Sequence, residues 1–141
     1  YTLEEFREHA AAVPPVPYRR ARHVLSEDAR TLRACRALKE GDVESLGQLL
    51  NASDESLRVD YEVTGRELDT MTAIARELPG CLGARMTGAG FGGCTIHLVE
   101  AAGAMSFGQE LLHRYHAATG LTGRLLPSHA AAGASIIRLE N

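Results

Sequence analysis

The chain has 141 residues, 45% of them hydrophobic and 23% charged, with a formal net charge of −3. That is enough for one domain with a real core, and the slightly acidic balance gives no electrostatic reason to expect nucleic acid. No apolar run approaches the ~18 residues of a membrane span. Three scattered cysteines without a C-x-x-C pair, Cys35, Cys81 and Cys94, point to reduced thiols in a cytoplasmic protein rather than a disulfide framework or zinc knuckle.

In chain order, Thr2 and Glu5 stand at capping-box spacing and start a short helix with Leu3 and Phe6 on one side. It stops by the three prolines between Val13 and Pro17. Ala21, Val24, Leu25, Leu32, Cys35 and Leu38 recur at three- and four-residue intervals and predict a long helix ending at Gly41. On it, Arg19, Arg20 and Arg22 are followed by Glu27 and Asp28 and read as a solvated face. Asp42 caps a third helix whose apolar side is Val43, Leu46, Leu49 and Leu50. From Asn51 the sequence turns polar and predicts an irregular region through Leu57, Val59, Tyr61 and Val63. There Asp60, Tyr61 and Glu62 read as a turn or a domain contact. Thr64 and Glu67 form a second capping box before a stripe of Leu68, Met71, Ile74, Ala75 and Leu78, which Pro79 and Gly80 end.

Strand signals follow. Leu82, Ala84 and Met86 alternate with small or polar residues, and so do Ile96 and Leu98. A helix with Phe107, Leu111, Leu112 and Tyr115 comes next, then two short extended runs, Gly123 to Leu126 and Ser135 to Leu139. Helices first, then strand, strand, helix, strand, strand, predict an α+β fold with helices packed on one face of a small antiparallel sheet. The expected core is Leu25, Leu32, Leu46, Leu68, Ile74, Ile96, Leu98, Leu111 and Ile136.

Between the two central strands lies "TGAGFGG", residues 87 to 93. Gly88, Gly90 and Gly93 satisfy G-x-G-x-x-G, but a dinucleotide site needs a helix after the glycines to hold the pyrophosphate. Here Thr95, Ile96 and Val99 are β-branched and alternate as a strand. No Lys-Ser or Lys-Thr closes the run as a Walker loop would require. Each glycine loses extra backbone entropy on folding, about 0.5–1 kcal/mol against alanine. Four of them in one hairpin loop leave two readings. Either the backbone approaches a ligand or another backbone closely, with N–H groups available as an anion nest, or the turn is simply crowded. Replacing Gly90 with valine separates them on sequence grounds: lost turnover at unchanged stability for the first, a large melting loss for the second.

"GARMTGAGFGGCTIHLV" resembles the third sequence motif of the GHMP small-molecule kinases. Within that group it is most similar to the galactokinase family, through Arg85, Met86, Thr87 and Gly88 before the loop and Phe91 inside it. Tyr18–Thr31 resembles the long helix that opens that family's C-terminal region, Ala37–Asp69 the segment that follows, and Ala130–Glu140 the last strand. The sequence departs from the family's pattern at Asp54, commonly histidine, at Val59, commonly aspartate, at Gly65 and Arg66, and at Ala132, often aspartate.

The resemblance implies a single ferredoxin-like GHMP kinase C-terminal domain over residues 1–141, a piece lacking the N-terminal catalytic domain. It implies transfer of the γ-phosphoryl of MgATP to the C1 hydroxyl of galactose in the full-length enzyme. ATP and Mg2+ would serve that enzyme, and neither is expected to bind tightly to this chain alone. Thr87, Gly88, Ala89, Gly90, Phe91, Gly92 and Gly93 would lie at the ATP-phosphate edge of the active site. The catalytic base, the transition-state arginine and any metal ligand are expected upstream, so none is expected here. The implied partners are the chain's own N-terminal domain, galactose and MgATP, not nucleic acid or membrane. Two alternatives stay open: a catalytically silent galactose- and ATP-binding transcriptional sensor, and a related GHMP kinase with another substrate. Among single residues, Arg85 is expected in a structural ion pair, Phe91 as a loop-tip anchor, and His97 as a half-buried or hydrogen-bonded histidine. His113 and His116 are not expected to bind metal.

Overall fold

The computed structural model describes residues 2–133 and 135–136. Helix α1, Leu3–Glu8, carries the expected reciprocal Thr2–Glu5 capping box and passes into a 3₁₀ turn, Ala10–Ala12. Helix α2, Pro15–Glu40, begins on a proline, which has no N–H to lose in the first turn, and ends at Gly41 in the left-handed region. The Asp42 carboxylate accepts from Ser45 N–H at the start of α3, Val43–Ser56. Helix α4 is Arg66–Glu77, and α5 is Ala104–Thr119.

Strands β1, Cys81–Thr87, and β2, Cys94–Val99, pair antiparallel with Ala84 opposite His97, Arg85 opposite Ile96 and Thr87 opposite Cys94. Ala84 and Met86 on one face of β1 are fully buried. Ala84 packs with Ala75, Leu78, Phe107 and Leu111, and Met86 with Leu57 and Leu68. Helices α4 and α5 cover that face, as expected for α+β. Among the described residues no helix is long and apolar enough to cross a membrane.

Several expectations are corrected. Asn51–Ser56 is not irregular but the last part of α3, continued by a π turn, Leu57–Tyr61. Its polar residues are helical because Ser53, Asp54 and Ser56 are buried against partners rather than solvated. The Thr64–Glu67 capping box does not form. Gly65 is the N-cap, without a side-chain bond, and Glu67 and Asp69 in the first turn complement the helix dipole instead.

Gly123–Leu126 is not a strand. It lies across the helices, with Leu125 against Gly108 and Gly123 against Leu112, so its side chains rather than a ladder set its path. Of the run from Ser135 to Leu139, residues 137–139 lie outside the described residues, and Ser135 and Ile136 are not in a strand. In the expected core, Leu68 and Leu111 are buried and Leu25, Leu46, Ile74 and Leu98 are half-buried. Leu32, Ile96 and Ile136 are exposed instead, at 70%, 52% and 92%. Among the described residues, Leu32 lies on an uncovered side of α2. Ile96 shares the sheet face of Arg85, which α3 covers along β1 and leaves open along β2.

Candidate functional site

The glycine loop hangs on β1, and α3 fixes β1 by standing in for a neighbouring strand. Gly47 of α3 meets Gly83 so closely that a Cβ on Gly83 would sit 2.7 Å from the Gly47 Cα. At this distance side chains replace the missing ladder. Asn51 Oδ1 accepts from Ala84 N–H at 2.9 Å, and Asp54 Oδ1 accepts from Met86 N–H at 2.8 Å. Arg76 of α4 completes the edge, donating to the Ala84 carbonyl at 2.8 Å and pairing with the other Asp54 oxygen. A buried edge N–H without a partner costs about 1–3 kcal/mol, so these side chains are required where β1 is covered by a helix.

Beyond Thr87 the chain enters the loop with Gly88, Gly90, Phe91, Gly92 and Gly93 all at positive φ. Among the described residues the loop backbone is held at one point. Phe91 N–H donates to the Val63 carbonyl at 2.7 Å, and a Cβ on Gly90 would fall inside contact distance of the same oxygen. Gly90 is therefore glycine because of a backbone contact within the chain, and valine there would disturb stability and loop placement together. Gly88, Gly92 and Gly93 face open space. Among the described residues, the amides of Gly88, Ala89, Gly90, Gly92 and Gly93 make no hydrogen bond to protein. Thr87, Gly88, Ala89, Gly92 and Gly93 are exposed, and Phe91 is 78% exposed. Gly90 thus meets the reading of close approach to another backbone, here that of Val63, while Gly88, Gly92 and Gly93 are not crowded by the described residues and leave donors free on either side of it.

Val63 is itself anchored to α2. The π turn ends with Glu62 in the left-handed region at φ 57, and the N–H groups of Glu62 and Val63 both reach the Leu57 carbonyl. Arg19 and Arg20 pair with the Glu62 carboxylate, and Arg20 also donates to the Asp60 carbonyl. Arg22 pairs with Asp60, whose second oxygen accepts from Ser56 Oγ at 3.2 Å. His23 Nδ1 lies 3.0 Å from Ser56 Oγ, and its ring stacks on Tyr61 with centroids 4.4 Å apart. The expected solvated face is therefore corrected: these arginines face the acidic end of the π turn. Arg20 holds the Glu62 carboxyl below its ordinary range, Asp60 raises Arg22, and burial with the nearby Arg30 charge lowers His23.

Residues 34–115 match the family model described as GHMP kinases C terminal. The chain belongs to this family. Among curated relatives, the galactokinase of Exiguobacterium sibiricum is 51% identical over 122 residues, which cover 86% of this chain and 31% of that protein. The Enterococcus faecalis galactokinase is 48% identical over 132 residues, covering 93% of this chain and 34% of the relative. The structure of Lactococcus lactis galactokinase complexed with galactose aligns with a TM-score of 0.83 at 42% identity, over 86% of this chain and 32% of that one. An L. major mevalonate kinase shares the fold, with a TM-score of 0.55 at 23% identity. The chain thus spans about a third of the length of the relatives it matches.

As a GHMP kinase C-terminal domain, the molecule accounts for some of its own departures. Asp54 carries the β1 edge and the Arg76 pair, and Gly65 is the α4 N-cap. Val59 and Ala132 are exposed, and nothing in the structure explains them. Arg85 is corrected: it forms no ion pair among the described residues, and its Nε donates to the Met86 carbonyl at 2.9 Å. His97 packs edge-on against Phe107, centroids 6.0 Å apart, with a buried Nε2 that has no partner among the described residues. Burial, helped by the Arg76 charge, lowers its pKa to about 4.

Gly47, Asn51, Asp54, Arg76 and Val63 hold the site in ways not expected from the sequence. Gly47, Asn51 and Asp54 follow at four and three residues, which puts a small contact point and two acceptors on one side of α3. That spacing was the available signal. Val63 acts through its carbonyl, which no side-chain pattern reveals.

Proposed function

We propose that this chain is the C-terminal part of a galactokinase, and that Thr87–Gly93 forms one edge of its ATP-phosphate site. The observation that carries the reading is the loop itself: exposed, unpaired amides on a backbone locked at Phe91, in a domain whose relatives at 42–51% identity are galactokinases. Phosphoryl transfer depends on positioning and on neutralising phosphate charge. Backbone N–H groups at fixed places meet that need, because they donate to phosphate oxygens with no side chain in the way. The Thr87 hydroxyl adds a donor, and the Phe91 ring is a contact for the N-terminal domain.

MgATP, when bound, supplies the phosphoryl group and the divalent charge that neutralises it. The loop fits the phosphates and not the metal: it offers N–H and O–H donors and no carboxylate. The base that takes the sugar proton, the metal ligands and the groups that grip galactose belong, in this reading, to the N-terminal domain.

The test is a coupled assay of the full-length protein with galactose and MgATP, with the sugar product resolved by NMR. Galactose 1-phosphate is expected from the full-length protein, and none from this chain alone. Turnover of only a different small molecule, or galactose turnover by this chain alone, would overturn the reading.

A further inference from the structure

We propose that Arg20 and Glu62 are positioning residues for the glycine loop, a latch by which α2 sets the reach of the loop toward phosphate. The inference rests on the loop lying at the phosphate site, and it adds residues on the far side of Val63 from the loop.

The path is continuous. Arg20 holds the Glu62 carboxylate with one nitrogen and the Asp60 carbonyl with another. This grips both sides of Tyr61, whose ring is stacked on His23. Glu62 is thereby kept at φ 57, a left-handed conformation that non-glycine residues adopt only where their surroundings hold them. The next carbonyl, that of Val63, receives the single loop amide that is paired, at Phe91, and closes against Gly90. A change in the Glu62 backbone turns the Val63 carbonyl and shifts the loop's only anchor among the described residues.

The energetics separate this role from a structural one. The Arg20 and Glu62 side chains are 32% and 46% exposed, and exposed ion pairs contribute little to stability. What the pair holds is the backbone conformation of Glu62, which sets the direction of the Val63 carbonyl and, through it, the loop anchor.

In the full-length kinase, Arg20→Met is expected to raise KM for ATP five- to tenfold, with kcat within twofold and the melting temperature within a few degrees. Arg20→Lys, which keeps the charge and loses the fork, should recover part of the effect. Glu62→Ala removes the carboxylate and leaves a non-glycine residue to hold φ 57 without it, and it should raise KM in the same way if Arg20→Met fails to fold. Thr87→Val reports on the loop independently. If Thr87→Val raises KM for ATP and neither latch variant does, the latch is overturned and the proposed function stands. If none of the three changes KM, the loop's place at the phosphate falls and takes the latch with it. A fall in kcat that tracks a large melting loss in both latch variants would assign them a structural role only and overturn the proposal.

Discussion

Acid should destabilise this fold through its buried histidines, His97 above all. His97 faces the α4–α5 side of the sheet, where it meets Phe107 and leaves Nε2 buried without a partner. Its pKa is about 4, against 6.5 for the free side chain. The unfolded chain therefore binds the proton more tightly than the folded one, and stability falls as pH drops from 6.5 toward 4 and levels off below. A shift of that size corresponds to about 3 kcal/mol in all, with about 2 kcal/mol lost between pH 8 and pH 5. That is a large part of the 5–15 kcal/mol typical of a domain, here an order-of-magnitude comparison on the order of one part in four.

The perturbation is His97→Leu, which fills the same space without a titrating group. Urea unfolding followed by circular dichroism at several pH values gives the difference directly. At about pH 8 the variant should be modestly more stable, because it removes an unpaired buried nitrogen. By about pH 5 the gap should widen by roughly 2 kcal/mol. His23, Glu62 and Asp42 also have lowered pKa values and lose stability in acid, but they do so equally in both proteins. A gap that stays constant with pH would refute the assignment of a buried, neutral His97.

Two further outcomes follow from the covered edge of β1. Asp54→Ala removes the side chain of a residue that is 3% exposed, strands the Met86 N–H and takes one partner from Arg76, which keeps the Ala84 carbonyl and Asn51, so thermal unfolding should show a loss of about 1–3 kcal/mol; a loss near zero would mean that α3 does not carry the edge. Gly83→Ala should separate α3 from β1 and cost more than 1 kcal/mol, whereas Gly41→Ala, which meets no neighbouring atom within 4 Å, should cost only the strain of its left-handed conformation. Equal losses in chemical denaturation would count against the close helix–strand approach.

The helices were legible where their signals are local. The capping box at Thr2, the Asp42 cap, the Gly41 stop and the stripe from Leu68 to Leu78 depend on neighbours three or four residues apart, and all four stand, whereas the Thr64–Glu67 box does not form. The hairpin was legible because β-branched residues follow the glycines. The polar tract from Asn51 misled because polarity normally means solvent, and here Asn51 and Asp54 bond to the backbone of β1, more than 30 residues away, while Ser53 and Ser56 bond to Glu27, His23 and Asp60. The arginines of α2 misled for the same reason: their carboxylates lie about 40 residues on, at Asp60 and Glu62. In the loop, composition showed that the glycines matter but not that Gly90 and its neighbours are glycine for different reasons. That distinction depends on where the Val63 carbonyl points.

The central claim is that the unpaired loop amides receive phosphate, and backbone amide shifts test it most directly. In the full-length protein, a non-hydrolysable MgATP analogue added with galactose should shift the amides of Gly88, Gly92 and Gly93 and leave those of Ala101–Gly103, at the other end of β2, in place. Saturation with nucleotide that leaves the three loop glycines unmoved would contradict the account.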